Sequence, residues 1–305
     1  MKADVVFEGG GVKGIGMVGA VCYLEEKGYV WQSIAGTSAG SIIAALLATG
    51  YQGHELKKIL LDLSYTSFMD KTRLQSIPLI GKGLGIVCEK GLYAGDEIEI
   101  WMEKLLEVTG KTKFKDVSIN GKSKLKIIAT DITNREMLTL PDDLIKYGID
   151  PMSFQISKAV RMSCSIPLYF KPYKLVSRGK VSYIVDGGVT SNFPVWIFDT
   201  KEVPRWPTIG FKMIEPPSHT SLGKTDIISF VLDIVGTVIE QNETKCMKDS
   251  DSVRTIGIPS AGIKTTDFNI SQERSLELFR VGYEKAEEFY KTWCFEKYVE
   301  AFRSR

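Results

Sequence analysis

The fold of this chain is decided by residues 33–49, which read SIAGTSAGSIIAALLAT. Residues 33–35 predict a short strand, and the apolar run from Ile42 to Thr49 predicts a helix that ends at Gly50. Between them, Gly36-Thr37-Ser38-Ala39-Gly40 matches the pattern G-x-S-x-G. Between a strand and a helix, this pattern predicts a sharp turn that presents the serine hydroxyl as a nucleophile. A glycine-rich turn whose serine only caps the helix is the alternative.

A second glycine motif lies near the start of the chain, where Val5-Val6-Phe7 predicts a buried strand. The loop Glu8-Gly9-Gly10-Gly11-Val12-Lys13-Gly14 follows it and opens a helix that runs to Lys27-Gly28. Backbone N–H groups at such a helix start have no intrahelical partner and can hold an anion. Two uses stay open at this point, a cradle for a phosphate or dinucleotide and an oxyanion hole beside the serine turn. The dinucleotide interpretation lacks the acidic residue expected after the second strand.

The candidate general base is Asp186, which ends the predicted strand Val181 to Val185 and precedes Gly187-Gly188. A carboxylate can accept a serine proton when it lies within hydrogen-bond reach and is partly desolvated. The chain contains two histidines. His219 stays open as an alternative base, since the order Ser38, Asp186, His219 is that of an α/β-hydrolase triad.

Together, these motifs resemble those of the patatin-like phospholipases. The glycine loop, the serine turn and Asp186-Gly187-Gly188 occur in the family's order, and the resemblance covers about residues 4–215. Two further stretches are similar to the family, Ser163 to Phe170, which reads SCSIPLYF, and Asn192-Phe193-Pro194.

The resemblance implies an α/β fold related to the α/β-hydrolases, with a mostly parallel central sheet sandwiched by helices. It implies a catalytic dyad of Ser38 and Asp186, and an oxyanion hole formed by the N–H groups of Gly10 and Gly11 with Lys13 beside them. It also implies cleavage of fatty-acyl esters of phospholipids or related lipids, without a metal or other cofactor. The glycines that support these motifs are Gly9, Gly14, Gly36, Gly40, Gly187 and Gly188.

Composition sets the remaining expectations for domains and partners. The formal net charge of +2 gives no basic excess of the kind that nucleic-acid binding requires. We expect a single domain over residues 1–305, whose C-terminal part, 222–305, is helical and carries no family motif. Its predicted helices are Ile227 to Glu240 and Glu273 to Phe302.

We expect a cytoplasmic protein that contacts membranes only at their surface. The N-terminus has no Sec-type signal pattern, and no apolar run is long enough to span a bilayer. The five cysteines are scattered, which favours reduced thiols. Residues 66–95 and a lysine cluster within 111–126 are candidate contacts for lipid. Two other classes stay open, a nucleotide- or phosphate-binding module and a catalytically silent lipid-binding scaffold.

Overall fold

The computed structural model describes residues 1–70, 90–214, 237, 248–265 and 267–303. Strands and helices alternate through the first fifty residues, as the sequence predicts. The strands are β1 (Lys2–Phe7), β2 (Val30–Thr37), β3 (Gly91–Tyr93), β4 (Ser118–Ile119), β5 (Lys122–Ser123), β6 (Leu125–Asp131), β7 (Glu136–Leu140), β8 (Leu168–Phe170), β9 (Tyr173–Ser177), β10 (Lys180–Asp186), β11 (Thr208–Ile214) and β12 (Thr255–Pro259). The α-helices are α1 (Gly14–Glu26), α2 (Ala39–Thr49), α3 (Gly53–Asp62), α4 (Asp96–Thr109), α5 (Ile156–Ser163), α6 (Gly188–Ser191), α7 (Asp249–Ser252), α8 (Gln272–Thr292) and α9 (Phe295–Phe302).

Within the described residues, the central sheet has eight strands in the order β12-β11-β1-β2-β6-β10-β9, with β7 paired to β6 off this path. Strands β12, β11, β1, β2 and β6 are parallel to one another. Strands β7, β10 and β9 add antiparallel pairs at one side. The predicted mostly parallel sheet flanked by helices is therefore confirmed.

Burial on both faces of the sheet explains the continuous apolar runs of the central strands. Val5, Val6 and Phe7 of β1 are fully buried although they are consecutive and point to alternate faces. Helix α2 is buried on all sides from Gly40 to Thr49, which is why its sequence is apolar throughout instead of amphipathic.

The C-terminal helix α8 packs directly on α1, the helix that follows the glycine loop. A side chain at Gly282 would overlap the backbone carbonyl oxygen of Gly16, so the two helices approach at backbone distance. Leu278 of α8 is fully buried in the same contact. The C-terminal region is therefore part of the packing around the central sheet.

The prediction of one continuous helix from Glu273 to Phe302 is wrong. Helix α8 ends at Thr292, and Trp293 and Cys294 are extended, with φ of −72° and −142°. The ring of Trp293 stacks on Phe289 at 5.2 Å between centroids and also contacts Tyr298 of α9 at 5.6 Å. This aromatic packing favours a bend over a continuing helix.

Three sequence predictions lie wholly or mainly outside the described residues. They are the helix 227–240 apart from Thr237, the alternative base His219, and positions 71–89 of the candidate lipid-contact segment 66–95. None of the helices in the described ranges is both long enough and apolar enough to cross a membrane.

Candidate active site

The serine turn places Ser38 at the junction of β2 and α2. Ser38 has φ 51° and ψ −126°, a backbone conformation that side-chain-bearing residues rarely adopt. A side chain at Gly36 would overlap the carbonyl oxygen of Gly40, so the turn closes only with glycine there. The turn thus holds Ser38 at the N-terminus of α2, where the helix dipole favours negative charge.

Asp186 lies within hydrogen-bond distance of Ser38, although 148 residues separate them in the chain. The Oγ of Ser38 donates to Oδ2 of Asp186 at 2.7 Å. Strand β6 brings the two together, since it pairs Thr37 of β2 with Ile128 and pairs Asp186 of β10 with Ala129. Both β2 and β10 lie on the side of β6 opposite β7, so Thr37 and Asp186 are paired with consecutive residues of β6 and the predicted pair of side chains meets where β2 ends and β10 ends.

The carboxylate of Asp186 is buried and held in a fixed orientation. Its exposed fraction is 3 %, and its Oδ1 accepts the N–H of Gly188 at 2.8 Å. Burial raises the pKa of Asp186 to about 6, while the hydrogen bonds from Ser38 and Gly188 act in the opposite direction. At neutral pH the carboxylate is mostly ionised, and it is more basic than an exposed aspartate.

The glycine loop lies directly beside the serine. An added Cβ at Gly9 would sit 3.1 Å from the Cβ of Ser38. In the described part of the chain, the N–H groups of Gly10 and Gly11 have no hydrogen-bond partner, whereas that of Val12 donates to Thr265. Two unpaired N–H donors next to a nucleophile are the requirement for an oxyanion hole.

Lys13 is buried in the 3-10 helix that follows the loop, with an exposed fraction of 4 %. A Cβ added to Gly10 would lie 3.8 Å from the Cβ and 4.0 Å from the Cε of Lys13. The lysine side chain therefore runs alongside Gly10, where its positive charge favours an anion held at the loop.

Ser163 connects Ser38 to the segment that carries Asp186, a role that sequence reasoning missed. Its Oγ accepts the N–H of Ser38 at 2.8 Å and donates to the carbonyl of Ile128 at 2.6 Å. Its own carbonyl accepts the N–H of Gly187 at 3.3 Å. The only signal was the family-like stretch that begins at Ser163, and that stretch gave no role to its serine.

The sequence also predicted no role for Asn192. Its carbonyl accepts the N–H of Gly9 at 3.1 Å, and its Nδ2 donates to the Gly9 carbonyl at 3.2 Å. Asn192 therefore ties the glycine loop to the segment that follows Asp186.

Cys164 is the other nucleophilic side chain close to the pair, and its environment argues against reactivity. Its Sγ lies 3.9 Å from the Oγ of Ser41, and burial raises the pKa of the thiol to about 12. The thiolate is the reactive form of cysteine, so this thiol is inert at neutral pH.

The position of Gly9 leads to a testable prediction. We expect Gly9→Ala to lower ester hydrolysis by about 100-fold or more, since the new methyl group overlaps Oδ1 of Asn192 and displaces the loop donors. The check is kcat for p-nitrophenyl butyrate. The matched control is Gly28→Ala, whose added Cβ meets no atom within 4 Å and whose φ of 82° makes it a test of backbone strain without steric overlap. Equal kcat values for the two variants would contradict the proposed place of the loop in the site.

Comparisons with known proteins agree with this architecture. The family model of patatin-like phospholipases matches residues 5–199. An uncharacterized protein of Bacillus subtilis, YqhO, is 39% identical over 305 residues, which covers 97% of this chain and 100% of YqhO. The probable lipid hydrolase 463L of invertebrate iridescent virus 6 is 27% identical over 194 residues, covering 63% of this chain and 61% of the viral protein.

Two solved structures share the fold at low sequence identity. VipD from Legionella pneumophila superposes with a TM-score of 0.57 at 18% identity, covering 95% of this chain and 67% of VipD. ExoU from Pseudomonas aeruginosa, in its complex with SpcU, superposes with a TM-score of 0.53 at 18% identity. That match covers 98% of this chain but 52% of the other chain, so this chain spans about half of it.

Proposed function

The chain belongs to the family of patatin-like phospholipases, and we propose that it is a serine hydrolase of fatty-acyl esters in phospholipids or related lipids. The observation that carries the proposal is the 2.7 Å hydrogen bond from Ser38 to Asp186, next to the unpaired N–H groups of Gly10 and Gly11. This arrangement supplies a nucleophile, a base and an oxyanion hole in one place.

In the proposed first step, Oγ of Ser38 attacks the ester carbonyl carbon while Asp186 takes the hydroxyl proton. The N–H groups of Gly10 and Gly11 hold the oxyanion of the tetrahedral intermediate, each contributing about 3–4 kcal/mol if it acts as in known oxyanion holes. Collapse of the intermediate breaks the ester C–O bond. The leaving alcohol takes the proton from Asp186, and the acyl group stays on Ser38.

In the second step, water attacks the acyl-enzyme. Asp186 takes a proton from that water, the intermediate collapses, and the proton passes to Oγ of Ser38 as the fatty acid leaves. A carboxyl with a pKa of about 6 suits both steps, since it is ionised at neutral pH yet returns its proton readily.

One observation supports a second candidate function. The N–H groups of Gly10 and Gly11, beside the buried Lys13, would also suit a phosphate, as in a nucleotide- or phosphate-binding module. That function gives no reason for a serine in a strained turn hydrogen-bonded to a buried aspartate, so we favour the hydrolase. The third class, a silent lipid-binding scaffold, differs from the hydrolase only in turnover.

The test is fatty-acid release from defined vesicles. Purified protein is incubated with vesicles of phosphatidylglycerol and phosphatidylethanolamine, and free fatty acid and lysophospholipid are measured by mass spectrometry. We expect release at about 10⁴-fold or more above a Ser38→Ala sample. Absence of release from phospholipid, from lysophospholipid and from p-nitrophenyl butyrate would contradict hydrolysis. A rise in melting temperature with nucleotide in the same samples would favour the phosphate-binding module.

A further inference from the structure

The hairpin of β9 and β10 projects beyond the C-terminal ends of the parallel strands, where Ser38 also lies. Strands β2 and β6 are parallel, and Ser38 follows the C-terminal end of β2. Strand β10 begins beyond the C-terminal end of β6 and runs antiparallel to β6 until it reaches Asp186. Six residue steps separate Lys180 from Asp186, so at about 3.3 Å per residue the hairpin reaches about 20 Å beyond the Ser38–Asp186 pair. Its turn residues Arg178 and Gly179 have φ of 48° and 75°, the two positive values of a tight type I′ turn.

One face of this hairpin exposes aliphatic side chains to solvent. Val176 of β9 and Val181 of β10 are directly opposite in the register and are 63 % and 42 % exposed. Leu175, the neighbour of Val176 that points to the other face, is buried. The valines are therefore an apolar pair that the described part of the chain leaves exposed.

The same hairpin carries only positive charge at its surface. Lys174, Arg178 and Lys180 are exposed, and the single acidic residue of β9 and β10 is the buried Asp186. No ion pair to these three cations occurs among the described residues. Their charge is thus available to an anionic partner.

We propose that this hairpin surface, formed by Lys174, Val176 and Val181 on one face and by Arg178 and Lys180 at the turn, docks the protein on an anionic lipid bilayer. The inference rests on the proposed lipid hydrolase function. Docking through the hairpin would bring the bilayer to the same end of the sheet as Ser38, where an acyl chain must enter. Exposed aliphatic groups enter the interface, and lysine and arginine beside them are attracted by anionic head groups.

Charge argues against a second copy of the chain as the occupant of this surface. Strand β9 is the edge strand of the sheet, and edge strands can pair with each other. Such symmetric pairing would bring two sets of Lys174, Arg178 and Lys180 together, and like charges facing each other are unfavourable. Contact with a negatively charged bilayer brings no such repulsion, because its charge is opposite to that of the hairpin.

The test measures sedimentation of the purified chain with vesicles of phosphatidylcholine, with and without phosphatidylglycerol. We expect binding only when phosphatidylglycerol is present, and weaker binding as salt rises. Two double variants, Val176→Asp with Val181→Asp and Lys174→Glu with Lys180→Glu, are each expected to reduce vesicle affinity by about tenfold or more. All should keep wild-type hydrolysis of soluble p-nitrophenyl butyrate, which shows that they fold.

The matched control is Val30→Asp. Val30 is the first residue of β2 and lies at the opposite end of that strand from Ser38. Val30 is 57 % exposed, so the change has the same chemistry at a different place. Equal vesicle binding by wild type and the hairpin variants, or an equal loss in Val30→Asp, overturns the docking surface. A wild-type dimer that the valine variant converts to a monomer also overturns it. If vesicle binding responds as expected while no ester is cleaved, the docking surface stands and the proposed function fails.

Discussion

Hydrolysis of both phospholipid and p-nitrophenyl butyrate is expected to fall by about 10⁴-fold or more in Ser38→Ala, because no acyl-enzyme can form without the hydroxyl. The fold should survive, since the N–H of residue 38 keeps its bond to Ser163 and the change removes a single oxygen atom. Labelling by a fluorophosphonate probe, read by intact mass, measures the same loss independently.

The matched control for this variant is Ser41→Ala. Ser41 is fully buried one turn further along α2, and its hydroxyl donates to the carbonyl of Ser38. We expect this variant to retain labelling and most of its kcat. Undiminished labelling or turnover in Ser38→Ala would place the nucleophile elsewhere.

The second large effect is expected for Asp186→Asn, which should lose activity by about 10³-fold or more while gaining stability at alkaline pH. The amide has the same shape, with Oδ1 able to accept the N–H of Gly188 and Nδ2 able to donate to Oγ of Ser38. It cannot take the serine proton. Turnover is therefore lost without loss of packing.

The stability gain follows from the raised pKa of Asp186. Because the folded protein raises it from 3.8 to about 6, the folded state binds this proton more tightly than the unfolded state. Binding of this proton therefore stabilises the folded state by about 3 kcal/mol. This contribution to the free energy of unfolding is fully present below pH about 4 and is lost as the pH rises through about 6. Above that pH, the wild type carries a buried charge that the asparagine variant lacks.

Thermal melts at pH 8 and pH 4 measure this difference. We expect Asp186→Asn to melt above the wild type at pH 8, with the gain shrinking toward pH 4. Wild-type kcat/KM should rise through pH about 6 and then level off, since the base must be ionised. A variant that is less stable at pH 8, or that keeps its turnover, would make Asp186 a structural residue only.

Local sequence patterns predicted those parts of the candidate site that lie within one strand, turn or helix start. The serine turn and the end of β10 are each readable within a few residues, since a strand, a glycine pair and a helix start mark them. The bond from Ser38 to Ser163 spans 125 residues and leaves no local signature. Its serine is the last residue of α5, whose sequence ISKAVRMS indicates only a short amphipathic helix.

Strand β12 was missed for a different reason. It reads Thr-Ile-Gly-Ile-Pro over Thr255–Pro259, and glycine and proline both count against a strand. Among the strands that the structure describes, it lies at the outer edge of the sheet and pairs with β11 alone. Proline is tolerated there, because an edge strand has one side without a ladder to complete.

The backbone contact between Gly282 and Gly16 places the C-terminal segment against the helix that follows the glycine loop. The family match ends at residue 199, yet α8 braces the helix whose first residue, Gly14, closes the glycine loop. Bulk introduced at position 282 would push α1 outward and carry the anion-holding amides away from the serine. In the proposed site, a helix outside the family match would therefore keep the loop amides at their distance from Ser38.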